Sequence, residues 1–421
     1  MMPECLIKDD DKEFLLAIYL HRCLNLELAA AYIYQTHLNP ELYAEKRILF
    51  LLRQGLILER DEAFFLSTIG VNHVKKWFGD KLMSCYKPDK RDKTLPKSCD
   101  LKICDRNVNH QLHLNKFAME LQSYVPSQIS YSYYDEKFMP AAGNFIMPDG
   151  MFEMTEEILF LEMDMGTESA KRLAQKWDSY RMFLNDPKSY YAGKKISMFF
   201  IIEGIPQPLI RARNVITHMF QFLGDRFSGN FECFINTPEN CHEIIKSNFF
   251  GMDTSLREQK TVCMRLLTRN YKFTISAPGF FADLNGTFAY YARRVVGEKK
   301  IQMLDGHPQE FILDIWLDGR LSILRNIFYW NKFSAQIEKH TGRKIMYLII
   351  VPSEAWLLLL LKRMKLAIPK GICFSTADRL QGRFLPKNLF TVDSLLNIVH
   401  FTDHSYSSIV HEKRPKTVIG N

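Results

Sequence analysis

No stretch of this chain approaches the ~20 consecutive apolar residues that a membrane-spanning helix needs. The apolar run from Ala355 to Leu361 is far shorter, so a helical membrane protein is excluded and no membrane partner is expected. The amino terminus, Met-Met-Pro-Glu-Cys-Leu-Ile-Lys-Asp-Asp-Asp, has no basic start followed by an apolar stretch. No signal peptide is expected from it, and the expected location is the cytoplasm. Nine cysteines without regular spacing do not form a disulfide framework and fit a reducing compartment. Cys99, Cys104, His110 and His113 could be read as a zinc set, but their spacing matches no standard finger. Acidic residues are the scarcer sign, 47 against 55 Lys and Arg, which leaves a net charge of +8 and points to an anionic partner, nucleic acid first. A hydrophobic content of 47% with 13% aromatics excludes a largely disordered chain, and 421 residues exceed one ordinary core.

The expected organisation has five parts. Residues 1–80 read as helix, helix, helix and hairpin, the order of a winged helix. Phe14, Leu15, Ile18 and Tyr19 recur at helical spacing, as do Leu28, Ala29, Ile33 and Tyr34. Asn39-Pro40 is a start signal for a third helix over Leu42–Gln54 that stops at Gly55, and two short strands follow around an Asp-Glu turn. In such a module the third helix lies in the major groove, so Tyr43, Lys46, Arg47 and Arg53 are expected at DNA, joined by Lys75 and Lys76. The alternative is a winged helix used for protein contacts alone. Residues 81–108, with Lys87, Lys90, Arg91 and Lys93, read as a basic linker.

Residues 109–240 alternate as αβββαβαβ, which makes a mixed sheet flanked by helices. Within them, Ile158-Leu159-Phe160-Leu161-Glu162-Met163-Asp164 reads as a buried strand whose two carboxylates leave the same face. Asp149 sits on the preceding segment. Three carboxylates among Ile, Leu, Phe and Met are costly to bury without a cation or protons, so Asp149, Glu162 and Asp164 are expected to bind Mg²⁺ or Mn²⁺. The competing reading is a strand end with surface carboxylates. Lys176 lies seven residues after Ser169 and four before Tyr180, one helical face, and can supply the positive charge missing at position 164. Glu120, Ser169 and Tyr180 are accessory candidates, with Tyr180 also fitting a core stripe of Leu173, Ala174, Trp177 and Leu184.

Pro148-Asp149 on one strand and Glu162 on the next resemble the PD-(D/E)XK nuclease fold, although Asp164 stands where that fold usually has Lys. More closely, Pro148-Asp149 through Glu162-Met163-Asp164-Met165-Gly166-Thr167-Glu168-Ser169, with Lys176, Tyr180 and the segment Asn109-His110-Gln111-Leu112-His113-Leu114-Asn115, resembles the plasmid replication-relaxation family. MobC-type relaxases look like its relatives. The resemblance implies a restriction-endonuclease-like α/β fold and a metal-dependent origin nickase or relaxase acting on double-stranded plasmid DNA. Relaxosome accessory or coupling proteins are its implied partners. Asp149, Glu162, Asp164 and Lys176 are then assigned to catalysis, with Asp149, Glu162 and Asp164 on the metal. A non-catalytic DNA-binding regulator with a degenerate nuclease fold is the runner-up, and a defence or restriction endonuclease the third reading.

Residues 241–400 echo this arrangement. Leu304-Asp305-Gly306 precedes Phe311-Ile312-Leu313-Asp314-Ile315-Trp316-Leu317-Asp318, and Gly342-Arg343-Lys344-Ile345-Met346-Tyr347-Leu348-Ile349-Ile350 parallels Gly193-Lys194-Lys195-Ile196-Ser197-Met198-Phe199-Phe200-Ile201. Either the segment is a diverged second copy with carboxylates Asp305, Asp314 and Asp318, or two βαβ units coincide by chance. Strand order decides between them. The tail, residues 401–421, carries His411, Lys413, Arg414 and Lys416.

Overall fold

The computed structural model describes residues 7–85, 95–139, 146–185, 191, 193–227, 230–268, 271–274, 290–294, 310–341, 345–381 and 388–401. Asp305, the linker lysines Lys87, Lys90 and Lys93 with Arg91, and the tail residues His411, Lys413, Arg414 and Lys416 lie outside them. The chain divides into two compact units, Met1–Pro208 with Asn236–His242, and Leu209–Ile235 with Glu243–Asn421.

The first unit opens with α1 (Asp9–His21), a short helix α2 (Leu26–Leu28) that runs into a π-helical turn Ala29–Ile33, and α3 (Pro40–Arg53). Asn39 caps α3 by accepting the Leu42 amide at 3.2 Å, and Pro40 occupies the first turn, where its missing N–H costs nothing. The hairpin β1 (Ile57–Arg60) and β2 (Ala63–Leu66) follows, with an isolated antiparallel bridge from Leu24 to Phe64. Helix α4 (Thr68–Cys85) comes next. Residues 81–85 therefore differ from the linker expectation: Val71, Val74 and Leu82 are buried along α4, and this stripe carries the helix past Lys75, Lys76 and Lys81.

The mixed sheet of this unit contains β3 (Tyr131–Asp135), β4 (Gly150–Met154), β5 (Glu157–Asp164) and β6 (Lys195–Ile202), in that order. The first two pairings are antiparallel and the third, β5 with β6, is parallel. All of β5 after Glu157 is buried, as a strand covered on both faces requires. Helix α5 (Val108–Tyr124) precedes the sheet, and α6 (Ala170–Leu184) makes the parallel crossover. Trp177, Tyr180 and Phe183 of α6 are buried, and Trp177 meets the Phe200 ring at 5.4 Å between centroids. A buried polar network fastens the helical segment to the sheet. Arg22, just past α1, donates to Glu136 at 2.6 Å and to the Lys102 carbonyl at 3.1 Å, and lies 3.5 Å from Asp135. Gln111 donates to Asp135 and to Asn115, whose amide donates to the His21 and Cys23 carbonyls.

The second unit contains most of α7 (Pro208–Leu223), β7 (Phe231–Asn236) and α8 (Pro238–Asn248), then α9 (Ser255–Thr268), β8 (Tyr271–Thr274), β9 (Tyr290–Arg294) and β10 (Glu310–Ile315). It continues through α10 (Ser322–Thr341), β11 (Met346–Val351), α11 (Glu354–Met364), β12 (Ile372–Thr376), α12 (Ala377–Leu380), β13 (Phe390–Val392) and β14 (Ile398–His400). Its seven-stranded sheet has the order β14-β13-β12-β11-β10-β9-β8. Phe311, Leu313 and Ile315 of β10 share a core with Met346, Leu348 and Ile350 of β11, Cys263 and Leu267 of α9, and Leu380 of α12. The intervening residues Ile312, Asp314, Tyr347 and Ile349 therefore face the opposite side of the sheet.

Strands β8-β9-β10-β11 pair antiparallel, antiparallel and parallel, as β3-β4-β5-β6 do, and a crossover helix joins the parallel pair in both. Glu162 lies opposite Phe200 on β6, and Asp314 lies opposite Ile349 on β11. Phe200 and Ile349 are the same position in the two Gly-initiated strand sequences, so Glu162 and Asp314 occupy one place in the two sheets. The register also gives the match of Gly150 among the described residues, Asp305 lying outside them. Leu161 pairs with Gly150 and Leu313 with Tyr290, so Tyr290 and not Gly306 matches Gly150. The residue before Tyr290 in the sequence is Ala289, which carries no carboxylate.

Candidate active site

The candidate site is built where β4 begins, where β5 ends and along one face of α6. Gly150 gives Tyr133 close room at the strand entry: a Cβ there would sit 3.3 Å from the Tyr133 ring and its hydroxyl, which would have to shift slightly. Beside it, Asp149 Oδ2 accepts the Met163 amide at 2.8 Å, which fixes this carboxylate against β5. His110, projecting from α5, places Nε2 3.0 Å from the Met163 carbonyl and 3.5 Å from Asp149 Oδ2. Glu162, 1% exposed, accepts the Lys176 ammonium at 2.9 Å and the Tyr180 hydroxyl on its other oxygen. Lys176 also meets Glu168 at 3.1 Å. One turn of α6 separates Lys176 from Tyr180, so both reach the same carboxylate.

The cluster is buried at its base and open at its rim. The side chains of His110, Asp149, Lys176 and Glu168 are each between 22% and 29% exposed. Burial alone would lower the His110 pKa, but the hydrogen bond and negative charge of Asp149, with the Met163 carbonyl, raise it to about 9. Burial pushes Asp149 up, and His110 together with Lys176 more than reverses this, leaving it below the ordinary carboxylate value. For Glu162, burial and the charge of Asp149 outweigh Lys176 and Tyr180 and bring it to about 7. Lys176 is held well above the usual lysine range, because Glu162, Asp149 and Glu168 overcome its desolvation. Separation of neighbouring pKa values in a partly open cleft is a mark of sites that move protons or bind charge.

The other sequence candidates have different surroundings. Asp164 Oδ1 accepts the Gly166 amide at 2.9 Å, forming the turn after β5, and Gly166 takes the positive φ of 74° that this turn needs. Ser169 caps α6 through the Arg172 amide. Glu120 lies 3.5 Å from His242. On α3, Arg47 is committed to buried Asp11 through its Nε at 2.9 Å and a second nitrogen. The Tyr43 ring stacks on His37 at 3.6 Å, whereas Lys46 and Arg53 are exposed. Lys75 donates to the Leu95 carbonyl at 3.0 Å and Lys76 is exposed.

Among the zinc candidates, His113 lies 3.4 Å from Glu203 and His110 belongs to Asp149. Among the described residues, no group of three or more His, Cys, Asp or Glu side chains is placed to hold a metal ion. The charge logic agrees, because Asp149 and Glu162 already hold an imidazolium, an ammonium, an amide and a hydroxyl. Mg²⁺ or Mn²⁺ does not fit this arrangement without displacing Lys176. The role of His110 was missed in the sequence although its segment was noted; the signal available was an Asn-His-Gln run opening a helix.

This cluster and the helical module lie in a stretch with a recognisable signature. Residues 20–195 match the replication-relaxation family. The match contains α3, the hairpin, α5, Asp149, Glu162 and Lys176. No curated protein and no solved structure matches the chain. Among the described residues no helix is long and apolar enough to cross a membrane.

Proposed function

We propose that this chain is a DNA-processing protein of plasmid replication or relaxation, with the Asp149–His110 and Glu162–Lys176 pairs as the site that receives a backbone phosphodiester. The observation that carries the reading is the convergence of Asp149, Glu162 and Lys176 within the residues that match the replication-relaxation family. The helix–bridge–helix–helix–hairpin order of residues 9–66 supports a winged helix, in which exposed Lys46 and Arg53 are free to approach phosphates while Arg47 holds the module together.

In this reading the site nicks one strand. Water attacks phosphorus as the bond to the leaving sugar oxygen breaks. Glu162, raised to about 7, takes the water proton when ionised, and protonated His110 supplies one to the leaving oxygen. Lys176 stabilises the pentavalent phosphate electrostatically. No step passes through Mg²⁺ or Mn²⁺, and asking whether either ion changes the rate belongs to the test. Supercoiled plasmid carrying a cognate origin is incubated with the full-length protein with and without each ion, and open circles are counted. Conversion that Glu162→Ala abolishes supports the reading, and conversion that survives the substitution sinks it.

The second reading is a non-catalytic DNA-binding regulator. The hydrogen bonds to both oxygens of Glu162 favour it, since a carboxylate already paired with Lys176 and Tyr180 is also what a structural cluster needs. A salt-sensitive footprint without cleavage under any divalent ion establishes it.

A further inference from the structure

Away from the carboxylate cluster, the first unit contains a cleft of about 530 Å³ lined by Thr68, Val71, Asn72, Lys75, Lys97, Ser98, Cys99 and Lys102. Thr68, Val71, Asn72 and Lys75 follow i, i+3, i+4, i+7 spacing and form one face of α4, starting at its amino-terminal turn. The opposite wall is the turn that begins at Lys97, where Asp100 accepts the Lys97 amide at 2.7 Å and the Asp100 and Leu101 amides both return to the Lys97 carbonyl. Thr68 and Ser98 hydroxyls meet across the cleft at 3.4 Å.

Three lysines thus border one small space, and among the described residues no carboxylate lines it. Among the described residues, Lys75, Lys97 and Lys102 have no ion-pair partner within 4 Å. Lys75 is instead aimed by its bond to the Leu95 carbonyl. Burial lowers its pKa, Asp100 opposes this and Lys97 adds to it, so the lysines are close enough to act on one another. Three clustered lysines with Asp100 as the one acid acting on Lys75 are relieved by a polyanion, and the Thr68 and Ser98 hydroxyls are donors that phosphate oxygens take.

We propose that this cleft binds a phosphate group, carried by a polynucleotide backbone or by a free nucleotide. Its volume falls in the roughly 300–1,000 Å³ range of small-ligand pockets, and a backbone phosphate with its sugar is equally accommodated. The inference does not rest on strand cleavage at Glu162, so either outcome of the nicking assay leaves it standing.

Cys99 lines the cleft and is exposed, which makes its thiol a reporter. Maleimide modification of Cys99 in the full-length protein is followed by peptide mass spectrometry. The probes are sodium tripolyphosphate, ATP and a short DNA duplex, each compared with sodium chloride of equal ionic strength. At about ten times its dissociation constant a bound probe slows modification about tenfold, by mass action. The double variant Lys97→Gln, Lys102→Gln changes two exposed residues and should keep the fold while losing most of that protection. Protection by duplex and tripolyphosphate assigns the cleft to the DNA backbone; protection by ATP and tripolyphosphate without duplex assigns it to a nucleotide. No protection beyond sodium chloride, or equal protection in the double variant, overturns the proposal.

Discussion

The two units place a buried carboxylate at the same point of the same strand arrangement and compensate it differently. In the first, Glu162 takes an ammonium and a hydroxyl from one helix, through Lys176 and Tyr180, and a second carboxylate, Asp149, stands beside it with His110. In the second, Asp314 takes the Tyr347 hydroxyl at 2.5 Å from the neighbouring strand and Arg320, 3.5 Å away, from the connection that follows β10. Arg320 is shared with Asp318, which Lys260 also holds at 2.9 Å. Among the described residues no second carboxylate stands beside Asp314 as Asp149 stands beside Glu162, and in the sequence Ala289 precedes Tyr290. The repeated topology supports one ancestral fold used twice, and the difference teaches what chemistry requires beyond topology. In the second unit Asp314 and Asp318 are each held by a cation of their own connection or helix. In the first, Glu162, raised to about 7, lies beside Asp149, lowered, under a partly open rim, the arrangement that the proposed function uses.

The largest expected effect separates the units by activity. If nicking occurs, Lys176→Ala lowers its rate by about 10² to 10³, the usual loss for removing one electrostatic stabiliser. Arg320→Ala leaves the rate of the folded protein within about twofold. Plasmid relaxation time courses check both, and a comparable loss in the two variants breaks the comparison.

Stability gives the next contrast. Lys176→Met leaves Glu162 buried beside Asp149 without its ammonium and should cost about 3 kcal/mol in urea unfolding at neutral pH. Arg320→Met should cost about 1 to 2 kcal/mol, because Tyr347 still serves Asp314 and Lys260 still serves Asp318. Equal losses would mean that the second cluster is as dependent on one cation as the first.

A pH profile sharpens the role of His110. Its folded pKa, about 9, lies above the ordinary 6.5, so its contribution is complete below about pH 6.5 and disappears as pH rises toward 9. Wild-type protein should lose about 2 to 3 kcal/mol across that window, and His110→Gln should show a flatter profile there. Parallel profiles would remove the His110–Asp149 pair from the account.

The smallest contrast lies within α3. Lys46→Ala should reduce the slope of log affinity against log salt for duplex DNA by about one, as loss of one phosphate contact does. Arg47→Ala should instead lower the melting temperature, since it leaves Asp11 buried and unpaired. Unfolding and salt-titration curves distinguish the two.

Much of this was legible in the sequence. The bounds of β5 follow from its uninterrupted apolar run, and the αβββαβαβ order of the central segment from alternating periods. That Lys176 and Tyr180 share a face of α6 was readable because helical spacing fixes it. Their common partner Glu162 was not, since position 164 was where the missing charge was expected. What was not readable depends on contacts distant in sequence. His110 reaches Asp149 only because α5 crosses the end of β5, and Arg47 turns inward because Asp11 of α1 waits beneath it. Asp305 was matched to Asp149 because an Asp-Gly pair precedes β10; Asp305 lies outside the described residues, and the antiparallel neighbour of β10, β9, was not readable because register is not written in a dipeptide. The last turn of α4 was taken for the start of a linker because basic residues outweighed a thin stripe of Val71, Val74 and Leu82.

The central claim is that corresponding carboxylates carry different duties in the two units. Supercoiled origin plasmid, treated with Glu162→Gln and Asp314→Asn proteins of matched folded fraction, tests it most directly. Loss of open-circle formation in Glu162→Gln with wild-type rates in Asp314→Asn is the expected result. Wild-type rates in Glu162→Gln, or loss in Asp314→Asn, would contradict it.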